Sequence, residues 1–319
     1  MKSCIALIAL VFSLAPAIGT TATSTAEILA QAGPLAYIAP VDGKDGIYVE
    51  DETGGNFIFA CMSANDIILT PSVSRDGQYI SFVVDRGTLD KIIHILGPIE
   101  KQAQKWVAQD QELMTIKRGA WPVIQDKQTV IICMPDQGMV GSGTPRNIYT
   151  VSAEAITPLI IGNPQVSHAW PLMHPNESKL IYRFIPQPDE MGAVSEPAKS
   201  IIYDLSSGSS EGHFVDKFIF VEQWAASGEL LFSYRNRDEN GNRTYALYDP
   251  KTRISREIYR HQSHQGALSQ DLRFLATIRT IPEGGNNFDI MITDLETRGE
   301  INLTQSTRKS ESLIGWIKR

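Results

Sequence analysis

Apolar and polar positions alternate along this chain in a phrase that repeats. One apolar residue, three or four turn residues and an apolar run of about five residues recur. The copies begin at Pro71 (PSVSRDGQYISF), Trp121 (WPVIQDKQTVII), Trp170 (WPLMHPNESKLIY), Glu222 (EQWAASGELLF) and Gly266 (GALSQDLRFLAT). One column of the phrase holds Val73, Val123, Leu172, Trp224 and Leu268, at spacings of 50, 49, 52 and 44 residues. A period of roughly 40–50 residues with several short strands per unit predicts a β-propeller. That fixes an architecture and leaves the ligand open, because propellers carry many unrelated functions.

Each unit reads as a four-stranded antiparallel blade, with strands A to D from the centre outward. In the second blade, Arg75-Asp76-Gly77 is a tight turn, Tyr79–Val84 is B and Lys91–Leu96 is C. Glycine suits that turn because its second position needs a positive φ. The fifth blade places B at Glu229–Tyr234, C at Tyr245–Tyr248 and D at Ile254–Tyr259, and the sixth repeats it with Phe288–Thr293 and Glu300–Leu303. Ser24–Ala32 is the one weak amphipathic helix, read as a remnant of a leader.

The two ends of the chain fit each other. Leu313-Ile314-Gly315-Trp316 looks like the opening strand of a further unit, with Trp316 in the repeat column 48 residues after Leu268. Pro34–Ala39, Gly46–Asp51 and Asn56–Ala60 read as the second, third and fourth strands of a unit lacking its first. Pairing Leu313–Ile317 with Pro34–Ala39 closes a ring of six blades and removes an open edge. Before that ring, Lys2, the apolar run Cys4–Leu14 and the small residues to Ala22 predict a secretory signal over residues 1–22. Residues 23–33 then form a leader or linker, and 34–319 the propeller. The apolar run is too short to span a bilayer as a helix, so no transmembrane segment is expected after cleavage.

Composition narrows the partners. The chain has 319 residues, 42% hydrophobic, with a formal charge of −7, which leaves no basic surface for nucleic acid. Cys61 and Cys133 fall in apolar strands of different blades and read as buried free thiols. So little cysteine beside an export signal suits a bacterial periplasm.

Two segments carry a family resemblance. IMITDLETRGEINLTQS (Ile290–Ser306) resembles the I-Y-x-x-D-x-x-T-G-x-x-x-x-L-T tail of a TolB-type propeller repeat. SRDGQYISF from Ser74 resembles its W-S-P-D-G-x-x-I-A-F head. The resemblance covers Pro34 to Arg319 and implies the TolB-like six-bladed fold and a periplasmic setting. Lys127 and Leu272 depart from it at the glycine position of the turn, and there is no room before Pro34 for the α/β domain that TolB carries. A part in the envelope complex of TolB is therefore not carried over.

Candidate chemistry concentrates at the ends of the B strands. Arg86, Arg183, Arg235 and Arg279 would place four guanidinium groups on one rim, beside long B-to-C loops at Met134–Arg146, Phe184–Lys199 and Thr280–Asn287. Arginine offers a rigid fork for carboxylate or phosphate, so an anionic partner is one expectation. Pairing of each arginine with neighbouring acids such as Asp85, Asp238 or Glu239 is the other. Asp238–Asn242 has the one-three-five spacing of a calcium loop but lacks its glycine and terminal glutamate. His261-x-x-His264 and His168 with His174 are the histidine clusters, neither with a zinc pattern. No nucleophile elbow, phosphate loop or Rossmann glycine set occurs.

Two functional classes follow. The first is an exported, non-catalytic binding module, monomeric, holding an envelope protein or a small anionic ligand. Its expected binding residues are Arg86, Arg183, Arg235, Arg279 and His168, with no catalytic residue, metal or cofactor. The second is a propeller enzyme, a lyase or glycan-active hydrolase, with its site in the central channel. The absence of a convergent acid/base set in the sequence selects the first.

Overall fold

The computed structural model describes residues 24–135, 144–162, 164–188, 192–194, 196–213, 219–235, 242–280, 288–304 and 311–318. It is a six-bladed propeller of four-stranded antiparallel sheets. The inner A strands are Ser312–Trp316 in blade 1, then Ile67–Val73, Ala120–Asp126, Val166–Met173, Ile219–Trp224 and Gly266–Leu268 in blades 2 to 6. Blade 1 takes its first strand from the chain's end and the other three from its beginning, with Leu35 opposite Trp316 and Ile38 opposite Ser312. The closure expected from the unit heads is the one observed. Beyond that ladder, the Ile317 amide donates to the Pro34 carbonyl at 2.8 Å and the Lys318 amide to the Gly77 carbonyl at 3.0 Å.

Side-chain alternation explains why the ring holds. Successive residues of a strand point to opposite faces, and every blade is covered on both. In blade 2, Ile80, Phe82 and Val84 pack toward blade 1, whereas Val83 packs toward blade 3. In blade 3, Val130, Ile132 and Met134 face blade 2, while Ile131 and Cys133 face blade 4. The core is thus six separate clusters, one in each seam between neighbouring blades. The tryptophans of the repeat column latch these seams: the Trp224 indole donates to the Leu172 carbonyl of blade 4 and the Trp316 indole to the Ala267 carbonyl of blade 6. Cys61 and Cys133 are buried and unpaired with each other, as expected.

The weak helix expected at Ser24–Ala32 is present as Thr25–Ala32, with a complete capping box between Ser24 and Glu27. Its Ile28 and Leu29 are buried in the seam of blades 6 and 1, and Arg273 donates to Gln31 at 2.8 Å. The segment between strands C and D of blade 2 folds into a small hairpin (Glu100–Gln102 with Lys105–Val107) that clasps the outer edge of blade 1. There the Asn56 amide group and the Trp106 backbone exchange two hydrogen bonds of 2.8 Å. The Trp106 indole and Lys101 reach the buried Asp51 carboxylate at 3.1 and 2.5 Å. Edge strands invite unwanted pairing, and this strap covers the edge of the blade that closes the ring. Among the described residues no helix is long and apolar enough to cross a membrane.

Candidate functional site

The A strands surround a central cavity of about 790 Å³. Its shape comes from irregularities in those strands. In blades 2, 3 and 4 the A–B register slips around Thr70-Pro71, Trp121-Pro122 and Trp170-Pro171. In each pair the residue before proline is left-handed: φ is 48° at Thr70, 56° at Trp121 and 51° at Trp170. That region is unusual for a bulky residue, and a following proline disfavours it further. Strain of this kind costs about 1–3 kcal/mol per residue and persists where the surroundings impose it, often at functional sites. Here it turns two indoles to the channel wall. Trp121, Trp170 and Phe220 then form an arc across blades 3, 4 and 5, with ring centroids 5.4 and 6.1 Å apart in edge-to-face geometry. Trp170, at the middle, is 37% exposed.

Blades 5, 6 and 1 build a different wall. Strand A of blade 6 begins at Gly266, whose bare Cα lies against the Tyr245 ring, and blade 1 contributes Ser312 and Gly315. Glu222, at the bulge of blade 5, accepts from the Ser233 hydroxyl and from Arg243 at 3.1 Å. Burial raises the pKa of this carboxyl, opposed in part by the Ser233 and Arg243 hydrogen bonds. The His264 pKa is lowered by burial and then by the nearby Arg243 and Arg235 charges.

The four arginines of the expected rim do not converge. Measured against the last residue of strand B, Arg235 sits at that residue, Arg86 one beyond it, and Arg183 and Arg279 before it. A one-residue slip reverses the face to which a strand side chain points. Arg279 is accordingly buried in the seam of blades 5 and 6, bonded to Glu300 at 2.6 and 2.8 Å and to the Tyr259 hydroxyl. Arg279 in turn holds the Glu300 carboxyl down to about 2. Arg183 is buried at 6% exposure. Arg235 is exposed, and Arg86 is exposed with Glu112 4.0 Å away. His168 is also not at the channel. It is buried in the seam of blades 3 and 4 against Tyr182 and Phe184, and neither ring nitrogen has a hydrogen-bond partner among the described residues. Burial lowers its pKa to about 4. Of the long B-to-C loops, residues 136–143, 189–191, 195 and 281–287 lie outside the described residues, as do 238–241 of the calcium-like segment.

The register shows cations that sequence reasoning missed. Arg146, Lys199 and Arg243 are the first residues of strand C in blades 3, 4 and 5, and each lies over a ring: Trp121 at 5.2 Å, Phe184 at 4.8 Å and Phe220 at 5.0 Å. Five large apolar side chains are also exposed on one face, where the B-to-C and D-to-A connections lie: Met62, Ile67, Leu89, Ile161 and Val194. Among the described residues only Ile254 and channel-lining Trp170 join them as large exposed apolar groups. No three His, Cys, Asp or Glu residues among those described stand together at metal-binding spacing.

No family model matches the sequence, and no curated protein matches it. Solved structures do. TolB from Acinetobacter baumannii superposes with a TM-score of 0.63 at 16% identity, covering 89% of this chain and 67% of that one. A putative TolB from Agrobacterium tumefaciens gives 0.54 at 9% identity, covering 84% and 88%. An oligogalacturonate lyase in complex with manganese gives 0.53 at 11%, covering 85% and 73%. The fold is therefore the TolB-like six-bladed propeller, and at these identities the likeness is one of fold.

Proposed function

We propose that this chain is an exported, periplasmic binding module that holds a partner protein on its loop-bearing face, with part of the partner entering the channel. One observation carries the reading: five exposed large apolar side chains share the face of the B-to-C and D-to-A connections. Singly scattered exposed apolar residues are ordinary on a protein surface and contiguous patches mark interaction sites; what supports the reading here is that all five fall on the same face. The expected signal over residues 1–22 supports export, and the TolB-like fold is compatible with a scaffold for binding. The test is a double substitution, Met62→Asp with Leu89→Asp. A partner captured from an envelope extract by the mature domain, and identified by mass spectrometry, should be retained at least tenfold less well. The thermal midpoint should stay where it was. Unchanged retention would remove the loop face from the account.

The competing reading is an enzyme with its site in the channel; one of the similar structures is an oligogalacturonate lyase. Glu222 favours it, being a buried carboxyl of raised pKa on the channel wall. Such groups are candidate acids or bases. Turnover of an oligosaccharide that Glu222→Gln abolishes would establish that reading in place of ours.

A further inference from the structure

We infer that Trp170 is the docking point for a cationic side chain of the partner, a guanidinium or an ammonium group. The inference rests on the binding-module reading and gives it a chemistry. Three consecutive blades repeat one arrangement: an aromatic residue on strand A and a cation at the start of strand C. In blade 3 the cation meets its ring, Arg146 over Trp121 at 5.2 Å. In blade 5 it does so again, Arg243 over Phe220 at 5.0 Å. In blade 4, between them, it does not. Lys199 stands over Phe184 at 4.8 Å instead and is tethered to Glu196 at 2.7 Å. Trp170 is left without a cation over it among the described residues, and it is the exposed member of the arc at 37%.

The chemistry of the vacancy follows from its surroundings. An indole face is the strongest aromatic attractor of cations, through the negative face of its quadrupole. Glu311 and Asp45 line the same cavity, where Glu222 and Arg243 pair with each other and Arg75 is the other arginine; the chain carries a net charge of −7, which favours approach of a positive group. Edge-to-face contacts with Trp121 at 5.4 Å and Phe220 at 6.1 Å hold the Trp170 indole between two rings before any partner arrives, which reduces the ordering cost on binding.

The test uses the five indole N–H signals of the protein, from Trp106, Trp121, Trp170, Trp224 and Trp316, followed by NMR. Three capped tripeptides are titrated, Gly-X-Gly with X arginine, its neutral isostere citrulline, or glutamate. The arginine peptide should shift the Trp170 signal saturably in the millimolar range. Citrulline should bind at least about fivefold more weakly, as expected for loss of a cation–π contact of ordinary strength. Glutamate should not bind. Trp170→Phe should reduce the preference and Trp170→Leu abolish it, while unmoved Trp224 and Trp316 signals report intact seams. Equal binding of arginine and citrulline, or tighter binding of glutamate, overturns the cation inference and leaves a channel that binds. If no peptide moves the Trp121 or Trp170 signal, the channel's part in binding falls, and the inference with it.

Discussion

The two halves of the channel wall solve the same geometric problem with opposite chemistry. Blades 2, 3 and 4 break their inner strands at Thr70-Pro71, Trp121-Pro122 and Trp170-Pro171. Each proline removes an amide donor from an edge that has no further strand beside it, the position where a sheet tolerates proline. The seam behind, between blades 2 and 3, is lined by apolar side chains from Val83 and Ile93 to Ile124 and Val130, with the Ser81 hydroxyl donating to the Pro122 carbonyl at 2.8 Å. Blades 5, 6 and 1 keep small residues at the wall, Gly266 and Gly315. The seam of blades 5 and 6 carries two ion pairs, a largely buried Glu222–Arg243 and Arg279–Glu300, in which a buried guanidinium meets an exposed carboxylate. One half stores backbone strain to present rings, and the other stores desolvated charge. The first is built to be met by a ligand, whereas the second is already satisfied within the protein.

The largest effect should come from removing the wall's final strand. Deleting residues 312–319 takes away the inner strand of blade 1 and its bonds to Pro34 and Gly77. Chemical denaturation should lose its single cooperative transition, and the chain should aggregate. A truncated chain with an unchanged midpoint would refute the closure. Next, Arg243→Met strands Glu222 as a buried carboxylate and should cost about 3–5 kcal/mol. Adding Glu222→Gln should recover much of that. In the aromatic half, Arg146→Met should cost less than about 1 kcal/mol, since it breaks a partly exposed contact. Comparable costs at Arg243 and Arg146 would erase the distinction between the halves.

His168 gives a pH-dependent contrast within the aromatic half. Its folded pKa of about 4 lies below the ordinary 6.5. The unfolded chain therefore binds the proton first as pH falls. Stability tied to the neutral imidazole is complete above about 6.5 and lost progressively down to about 4, by roughly 3 kcal/mol at most. His168→Leu should flatten the stability profile between pH 6.5 and 4, and an unaltered slope would dismiss the orphaned ring as its source. Trp170→Asn should have an effect as small as that of Arg146→Met. Asparagine tolerates the left-handed region, so relief of strain should offset lost ring contacts to within about 1 kcal/mol in unfolding free energy. A cost above 3 kcal/mol would mean that the indole serves the core rather than the channel.

The ring and its closure were legible because they depend on a periodic column and on strand alternation, both local in sequence. The binding residues were not, because they depend on register. Counted from the end of strand B, Arg279 differs from Arg235 by one place and Arg183 by three, odd steps that are not readable from a single sequence yet turn both to the buried face. Arg146 and Arg243 were missed because they begin strand C after loops of uneven length. The channel bulges were in plain view as Thr70-Pro71, Trp121-Pro122 and Trp170-Pro171 at the unit heads, a signal read only as phase. The helix at Thr25–Ala32 was legible from its weak amphipathic pattern, whereas its packing into the seam of blades 6 and 1 depends on the closed ring and was not. The hairpin at 100–107 has strands of three residues, below the length at which alternation is readable.

Hydrogen-exchange footprinting of the mature domain with its captured partner tests the central claim most directly. Protection should appear at residues 62–67, 86–89 and 161 and at the Trp121–Trp170 wall, leaving the A-to-B turns at Asp76-Gly77 and Ser227-Gly228 unchanged. Protection confined to those turns would place function on the opposite face and contradict the account.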